Sequence, residues 1–262
     1  TTTESAFNRA REENAFAALF WRKAYAATIS PFAGAGDGEV RNLGGDGGVG
    51  DPDWVVYCVG GGGTHVSATA TTAIVLSQDK EQTLGEDVTY ICNIRRVFLP
   101  FDTSSIPAGS SVSAATLNVY VTSKTNNLDD GVDYITVVQT SQATHTTLAT
   151  SDFPSVGSTH GVSSPTDIGS ITTSAYNTFT LNSTGRGFIK FSGVDAPCSA
   201  TNGITCIGLR EGHDMDGVAL GSLNLQDSIT ISTSENTGTS QDPYMNITYT
   251  TGSFAFWQFQ DY

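Results

Sequence analysis

The side chains best equipped for chemistry lie in His213-Asp214-Met215-Asp216-Gly217, where one imidazole and two carboxylates fall within four residues. Such a group can hold a divalent metal or pass a proton. A Gly- and Asp-rich stretch after a strand is also the composition of a plain solvated turn, and that is the reading adopted. His65, His145 and His160 stand in Thr- and Ser-rich surroundings without partner spacing and read as surface histidines. The chain has no Gly-x-Ser-x-Gly elbow, Walker loop, His-Glu-x-x-His or dinucleotide fingerprint. The expectation is therefore no catalytic residue and no enzyme. Two acidic groups suit calcium, a hard cation that takes six to eight oxygens: Asp37, Asp46, Asp51 and Asp53 in a glycine-rich stretch, and Asp129, Asp130 and Asp133 in Asn127-Leu-Asp-Asp-Gly-Val-Asp133. Neither has EF-hand spacing, and turn-forming aspartates account for the same residues. Calcium is the one cofactor the sequence offers.

Four cysteines, Cys58, Cys92, Cys198 and Cys206, permit three pairings. The Asn202-Gly203 pair between the last two has the composition of a tight hairpin turn, which favours Cys198 with Cys206 and leaves Cys58 for Cys92. No CxxC or Cys/His spacing suggests a thiolate metal site. Disulfides fit an oxidising compartment, either extracellular or on a virion surface.

These groups need a scaffold, and the composition points to sheet. Only 15% of the 262 residues are charged, 28 are glycine, and Thr and Ser abound. Twelve basic residues against 26 acidic ones give a formal net charge of -14, a field that repels nucleic-acid backbones and anionic lipid. No run is apolar enough to span a bilayer, and Thr1-Thr2-Thr3 reads as the start of a mature, processed chain rather than a leader.

Three regions follow. Residues 1–26 lack Gly and Pro from Glu4 onward and begin with a capping-box pattern, Thr1 to Glu4, which predicts a helical arm. Its four basic and three acidic residues make it +1, leaving -15 on the rest. Residues 27–250 carry a glycine-rich stretch (34–63) with strand-like pieces Glu39–Arg41 and Trp54–Cys58. Beyond it come β runs at 66–76, 88–101, 112–122, 134–139, 177–181, 187–191, 204–210, 228–232 and 245–250. In Leu117-Asn-Val-Tyr-Val121 the apolar residues alternate, as in a half-buried strand. The fold class expected is all-β, an antiparallel, jelly-roll-like β-sandwich. Residues 251–262 add an aromatic strand that is apolar on both faces and should be covered on both.

The stretch Arg96 to Val121, with its Phe101-Asp102 strand end and Ser105-Ile106-Pro107 turn, resembles the DNRLRE-type (disaggregatase-related) β-sandwich domains. So do Asn177–Gly187, Ile207–His213 and Ser234–Tyr249, in that order. The resemblance implies one sandwich over roughly residues 27–250, of a kind found in surface, secreted and phage virion or tail proteins. On the residues themselves, Asp102 should bond the amides of its own turn, with Pro107 and Gly109 completing it.

Two functions are weighed. The first is a structural subunit of an external assembly, self-associating as a homo-oligomer or with other subunits through Phe16, Leu19, Phe20, Trp21, Phe254, Phe256, Trp257 and Phe259. The second is a glycan-binding or adhesive module, with Trp54, Tyr57, Tyr134 and Tyr176 as sugar-stacking rings.

Overall fold

The computed structural model describes residues 25–45, 54–84, 87–199, 201–222 and 224–251. Twelve strands lie within them: β1 (Ala26–Ile29), β2 (Gly38–Gly45), β3 (His65–Ser67), β4 (Thr72–Leu84), β5 (Asp87–Asp102), β6 (Ser111–Asn126), β7 (Tyr134–Gln139), β8 (Thr166–Asp167), β9 (Ala175–Thr180), β10 (Ile204–Glu211), β11 (Gln226–Ser232) and β12 (Tyr244–Thr250). Two one-turn helices, α1 (Ser183–Gly187) and α2 (Gly212–Asp216), interrupt them. The fold is all-β and antiparallel, as expected. Of the helical arm expected over residues 1–26, residues 1–24 lie outside the described residues, and Ala26 opens β1 rather than ending a helix; of the aromatic strand expected over residues 251–262, only Thr251 is described, and it follows β12 outside any strand.

The strands form one sheet in the order β1-β12-β6-β11-β4-β5-β10-β7-β8, with β9 added to β6 and a β2-β3 pair added to β5. The two long strands make it curl. Along one edge β5 pairs first with β4 (Asp87 to Arg95) and then with β10 (Val97 to Asp102), while β2 runs along its other edge. Strand β6 does the same, with β12 and β11 in succession on one edge and β9 on the other. Distant parts of the path therefore share one core: Leu99 of β5, Val119 of β6, Val137 of β7, Ile207 of β10, Ile229 of β11 and Ile247 of β12 belong to a single buried cluster. Leu117, Val119 and Val121 all point into it, as their alternation predicts.

The turn joining β5 to β6 is built as its residues suggest. Asp102 Oδ1 accepts from Ser104 N at 2.9 Å and from Ser104 Oγ at 2.6 Å, and Ile106 N donates to Thr103 O. Gly109 takes φ +75°, the conformation that favours glycine.

Two expected strands are not strands. Trp54–Val59 is a wide helical turn closed by Gly60 N donating to Val55 O at 2.7 Å. The Cys58–Cys92 disulfide ties it to β5, and Asn42 Nδ2 donates to the carbonyls of Tyr57 and Cys58, so these two carbonyls are satisfied without a strand partner. The run at 187–191 follows α1, which Asn182 nucleates by accepting from Gly185 N at 2.8 Å. Phe188 and Ile189 still enter the main core, from a loop.

Both disulfides pair as the spacing favours, Cys58 with Cys92 and Cys198 with Cys206. The second does not bridge two facing hairpin strands, because Cys206 lies in β10 while Cys198 lies in the preceding loop. Gly203, at φ +78°, makes the turn by itself.

Candidate functional site

The densest chemistry lies where β10 ends and α2 begins. Glu211, the last residue of β10, caps α2 by accepting His213 N on Oε2 at 2.9 Å. Gly212 is required here, since a Cβ would sit 1.8 Å from Val132 O. Gly217 ends the turn at φ +67°. This one-turn helix turns His213 and Asp214 into the interior, where both are essentially unexposed.

His213 stands among carboxylates from three parts of the chain. Its Nδ1 is 2.9 Å from Glu211 Oε1 and 3.8 Å from Asp227 Oδ2, and its Nε2 is 3.3 Å from Asp130 Oδ2. Strand register delivers Asp227, which lies on β11 opposite Ser77 of β4 and Asn126 of β6. Asp227 Oδ1 accepts the amides of Asn127 and Leu128 at 2.8 and 3.2 Å, whereas its Oδ2 has no hydrogen-bond partner among the described residues. Burial pushes the Glu211 carboxyl up to about 7 against the pull of His213, and pushes Asp227 up as well. Burial lowers His213, but Glu211, Asp130 and Asp227 outweigh it and leave the imidazole above its ordinary value.

Asp214 points to the other side. Arg96 Nε and Nη2 and Arg210 Nε and Nη2 all donate to its carboxylate, at 2.6 to 3.2 Å. Burial raises the Asp214 carboxyl, but the two guanidinium groups hold it below its ordinary value. Arg96 also donates to the carbonyls of Phe153 and Val59 and lies 4.0 Å over the Phe153 ring, so this knot ties β5, β10, α2 and two loops together. Asp216 accepts from the Tyr134 hydroxyl at 2.8 Å. His213 and Asp214 are thus a buried junction, and for these two the solvated turn read from composition is corrected, while Met215 is half-buried and Asp216 exposed.

The expected calcium ligands divide. Asp129 and Asp133 converge with Asp167, ligand atoms within 4.8 Å of one another, while Asp130 faces Val132 N and His213. Asp37 is buried against Ser234, and Asp46, Asp51 and Asp53 lie outside the described residues. His160 Nδ1 meets Thr136 Oγ1, and His145 Nδ1 meets Ser199 Oγ.

The rings expected to stack on sugar are not gathered. Trp54 is buried, Tyr57 is exposed on the disulfide-tied turn, Tyr134 is held by Asp216, and Tyr176 lies on β9. Tyr176 instead joins a row that composition did not reveal: Phe32, Tyr244, Tyr176 and Tyr120, with successive ring centroids 5.9, 5.2 and 5.4 Å apart. Phe32 is exposed and the three tyrosines half-buried. Cross-strand register makes the row, since Tyr120 pairs with Tyr176 and Phe32 bridges to Tyr244.

At the end of the sheet path, β1 pairs with β12, Ala26 opposite Thr250. Thr251 N donates to Tyr25 O at 3.3 Å, so the first described strand begins beside the end of the last one. The eight apolar residues expected at an interface precede Tyr25 or follow Thr251 and lie outside the described residues. No described helix is long and apolar enough to cross a membrane. Compared with known proteins, the chain matches no protein-family model and no curated relative.

Proposed function

We propose that this chain is a non-enzymatic structural subunit of an external assembly, either an extracellular filament or a virion or tail surface, that docks through its two flanking apolar segments. The observation that carries this reading is the pairing of Tyr25 with Thr251. Segments 1–24 and 252–262, which hold Phe16, Leu19, Phe20, Trp21, Phe254, Phe256, Trp257 and Phe259, attach at one corner of the sheet and can act as a single docking element. A +1 arm meeting the -15 remainder of a second copy adds electrostatic steering to that contact. The curled sheet is read as a jelly-roll-like sandwich of the DNRLRE type, and the two disulfides suit an oxidising exterior.

Sedimentation velocity of the full chain tests this directly. Oligomers that dissociate in Trp21→Asp and Trp257→Asp variants support the reading. A wild type that stays monomeric at high concentration removes it.

A second reading rests on the aromatic row. Four rings along one sheet region, flanked by Thr178, Thr180 and the exposed Asn246, offer apolar surface edged with hydroxyl and amide groups, the composition a neutral glycan recognises. Titration with neutral oligosaccharides, lost in Tyr176→Ala, supports glycan binding as the role. Absence of heat or chemical-shift change over a broad oligosaccharide set removes it.

A further inference from the structure

We propose that Glu211, His213 and Asp227 form a structural site for one divalent transition-metal ion, zinc by ligand type. Glu211, His213 and Asp227 each offer one ligand atom within 4.8 Å of the others, and all three side chains are fully buried. A tetrahedral zinc with bonds of roughly 2.0–2.1 Å spaces its ligands about 3.3 Å apart. The spacings from His213 Nδ1, 2.9 Å to Glu211 and 3.8 Å to Asp227, bracket that value.

The independent pointer to an ion is Asp227. A carboxylate with zero exposure whose Oδ2 has no hydrogen bond among the described residues is costly, and this oxygen faces His213. The other oxygen is already spent on two backbone amides, which fix the carboxylate and leave Oδ2 free to ligate. The buried hydroxyl of Ser77, opposite Asp227 and beside Glu211 without a well-aligned hydrogen bond, is placed for the fourth position or to hold a water there.

Charge and outer contacts agree. Two carboxylates, a neutral imidazole and a divalent ion sum to zero, the cheapest total to bury, whereas an imidazolium in the same place leaves one negative charge over. With Nδ1 on the metal, Nε2–H donates to Asp130 Oδ2, which is the carboxylate–histidine–metal arrangement that orients ligating imidazoles. The nitrogen ligand argues against calcium, which takes oxygens. The ion would join the continuous β10–α2 junction to β11, which folding brings against it, so its binding energy would stabilise the fold.

The test uses the full chain, metal-stripped with a chelator and titrated with Zn2+ against a chromophoric competitor, with the melting temperature followed in parallel. One zinc per chain, a higher melting temperature, and affinity weakened at least about 100-fold in Asp227→Asn and about tenfold in Asp130→Asn are expected. Asp227→Asn preserves shape. Should it nonetheless fail to fold, Co2+ substitution of the wild type decides, through a tetrahedral nitrogen-and-oxygen visible spectrum. Zinc that leaves the stripped protein unchanged, zinc bound equally by Asp227→Asn, equal stabilisation by Ca2+, or an octahedral cobalt spectrum would each overturn the proposal.

Discussion

Ala26 and Thr250 face each other across the antiparallel pair β1-β12, at the outermost position of the sheet path. The chain's first described strand is thus held by its last, and Ala27 and Ile29 pack against the main core from that edge. Removing residues 1–24 should leave this pairing intact, with unfolding midpoints in urea changed little. Removing residues 1–30 strips β1, withdraws Ala27 and Ile29 from the core, and should cost about 2–3 kcal/mol. Equal stability of the two truncations would show that β1 contributes nothing.

Asp214 is buried between two guanidinium groups that have few alternatives. Replacing it by Ala leaves Arg96 and Arg210 with uncompensated charge at side-chain exposures of 4% and 5%, and breaking such a pair typically costs about 3–5 kcal/mol. Asp214→Asn, which keeps acceptor capacity on one oxygen, should lose less. Chemical denaturation of both variants measures this, and a loss below about 1 kcal/mol for Asp214→Ala would rule out a structural role for the knot.

The two disulfides should contribute unequally. Cys58–Cys92 closes a separation of 34 residues and Cys198–Cys206 one of 8, for which chain entropy gives about 4 and about 2.5 kcal/mol. Serine pairs at each position should therefore rank in that order by denaturant midpoint, with Cys58→Ser/Cys92→Ser also freeing the Trp54–Val59 turn. Non-reducing peptide mapping that joins Cys58 to Cys198 would contradict both pairings.

Much of this was legible in the sequence where the signal was local. The alternation in Leu117–Val121 marked a strand, and Asp102 with Ser104 marked a turn, because each involves neighbours along the chain. The site was less legible because strand register assembles it. Asp227 lies in the strand run Gln226–Ser232, and nothing in that run says it will face His213. A usable signal did exist in Arg96, the charge that directly abuts the apolar run Val97–Phe101, since a buried cation demands an anion and Asp214 was a candidate. The aromatic row was unreadable for the same reason as Asp227: Tyr120, Tyr176 and Tyr244 meet only across three strands. Trp54–Cys58 misled because β-branched and aromatic residues imitate a strand, whereas the disulfide and Asn42 hold a helical turn.

Asp37 should make stability fall as pH rises through the weakly acidic range. The side chain is fully buried, with Oδ2 accepting Ser234 N at 2.8 Å and Oδ1 accepting Ser234 Oγ at 2.9 Å. Burial pushes its carboxyl up most strongly, the Ser234 amide pulls it down, and neighbouring Glu235 adds to the rise, leaving it at about 7. An ordinary aspartate in the unfolded chain titrates at about 3.9. Below about pH 4 both states hold the proton and the contribution is fully present. Between about pH 4 and 7 the unfolded chain releases its proton while the folded one keeps it, so stability declines by about 1.4 kcal/mol per unit, about 4 kcal/mol in all, and levels off above about pH 8. Asp37→Asn cannot titrate and removes this slope. Urea unfolding of both proteins from pH 4 to 8 should show the wild type losing ground steadily against the variant. A constant difference across that range would mean that Asp37 ionises in the folded protein as readily as in the unfolded chain, and that burial is offset by Ser234 alone.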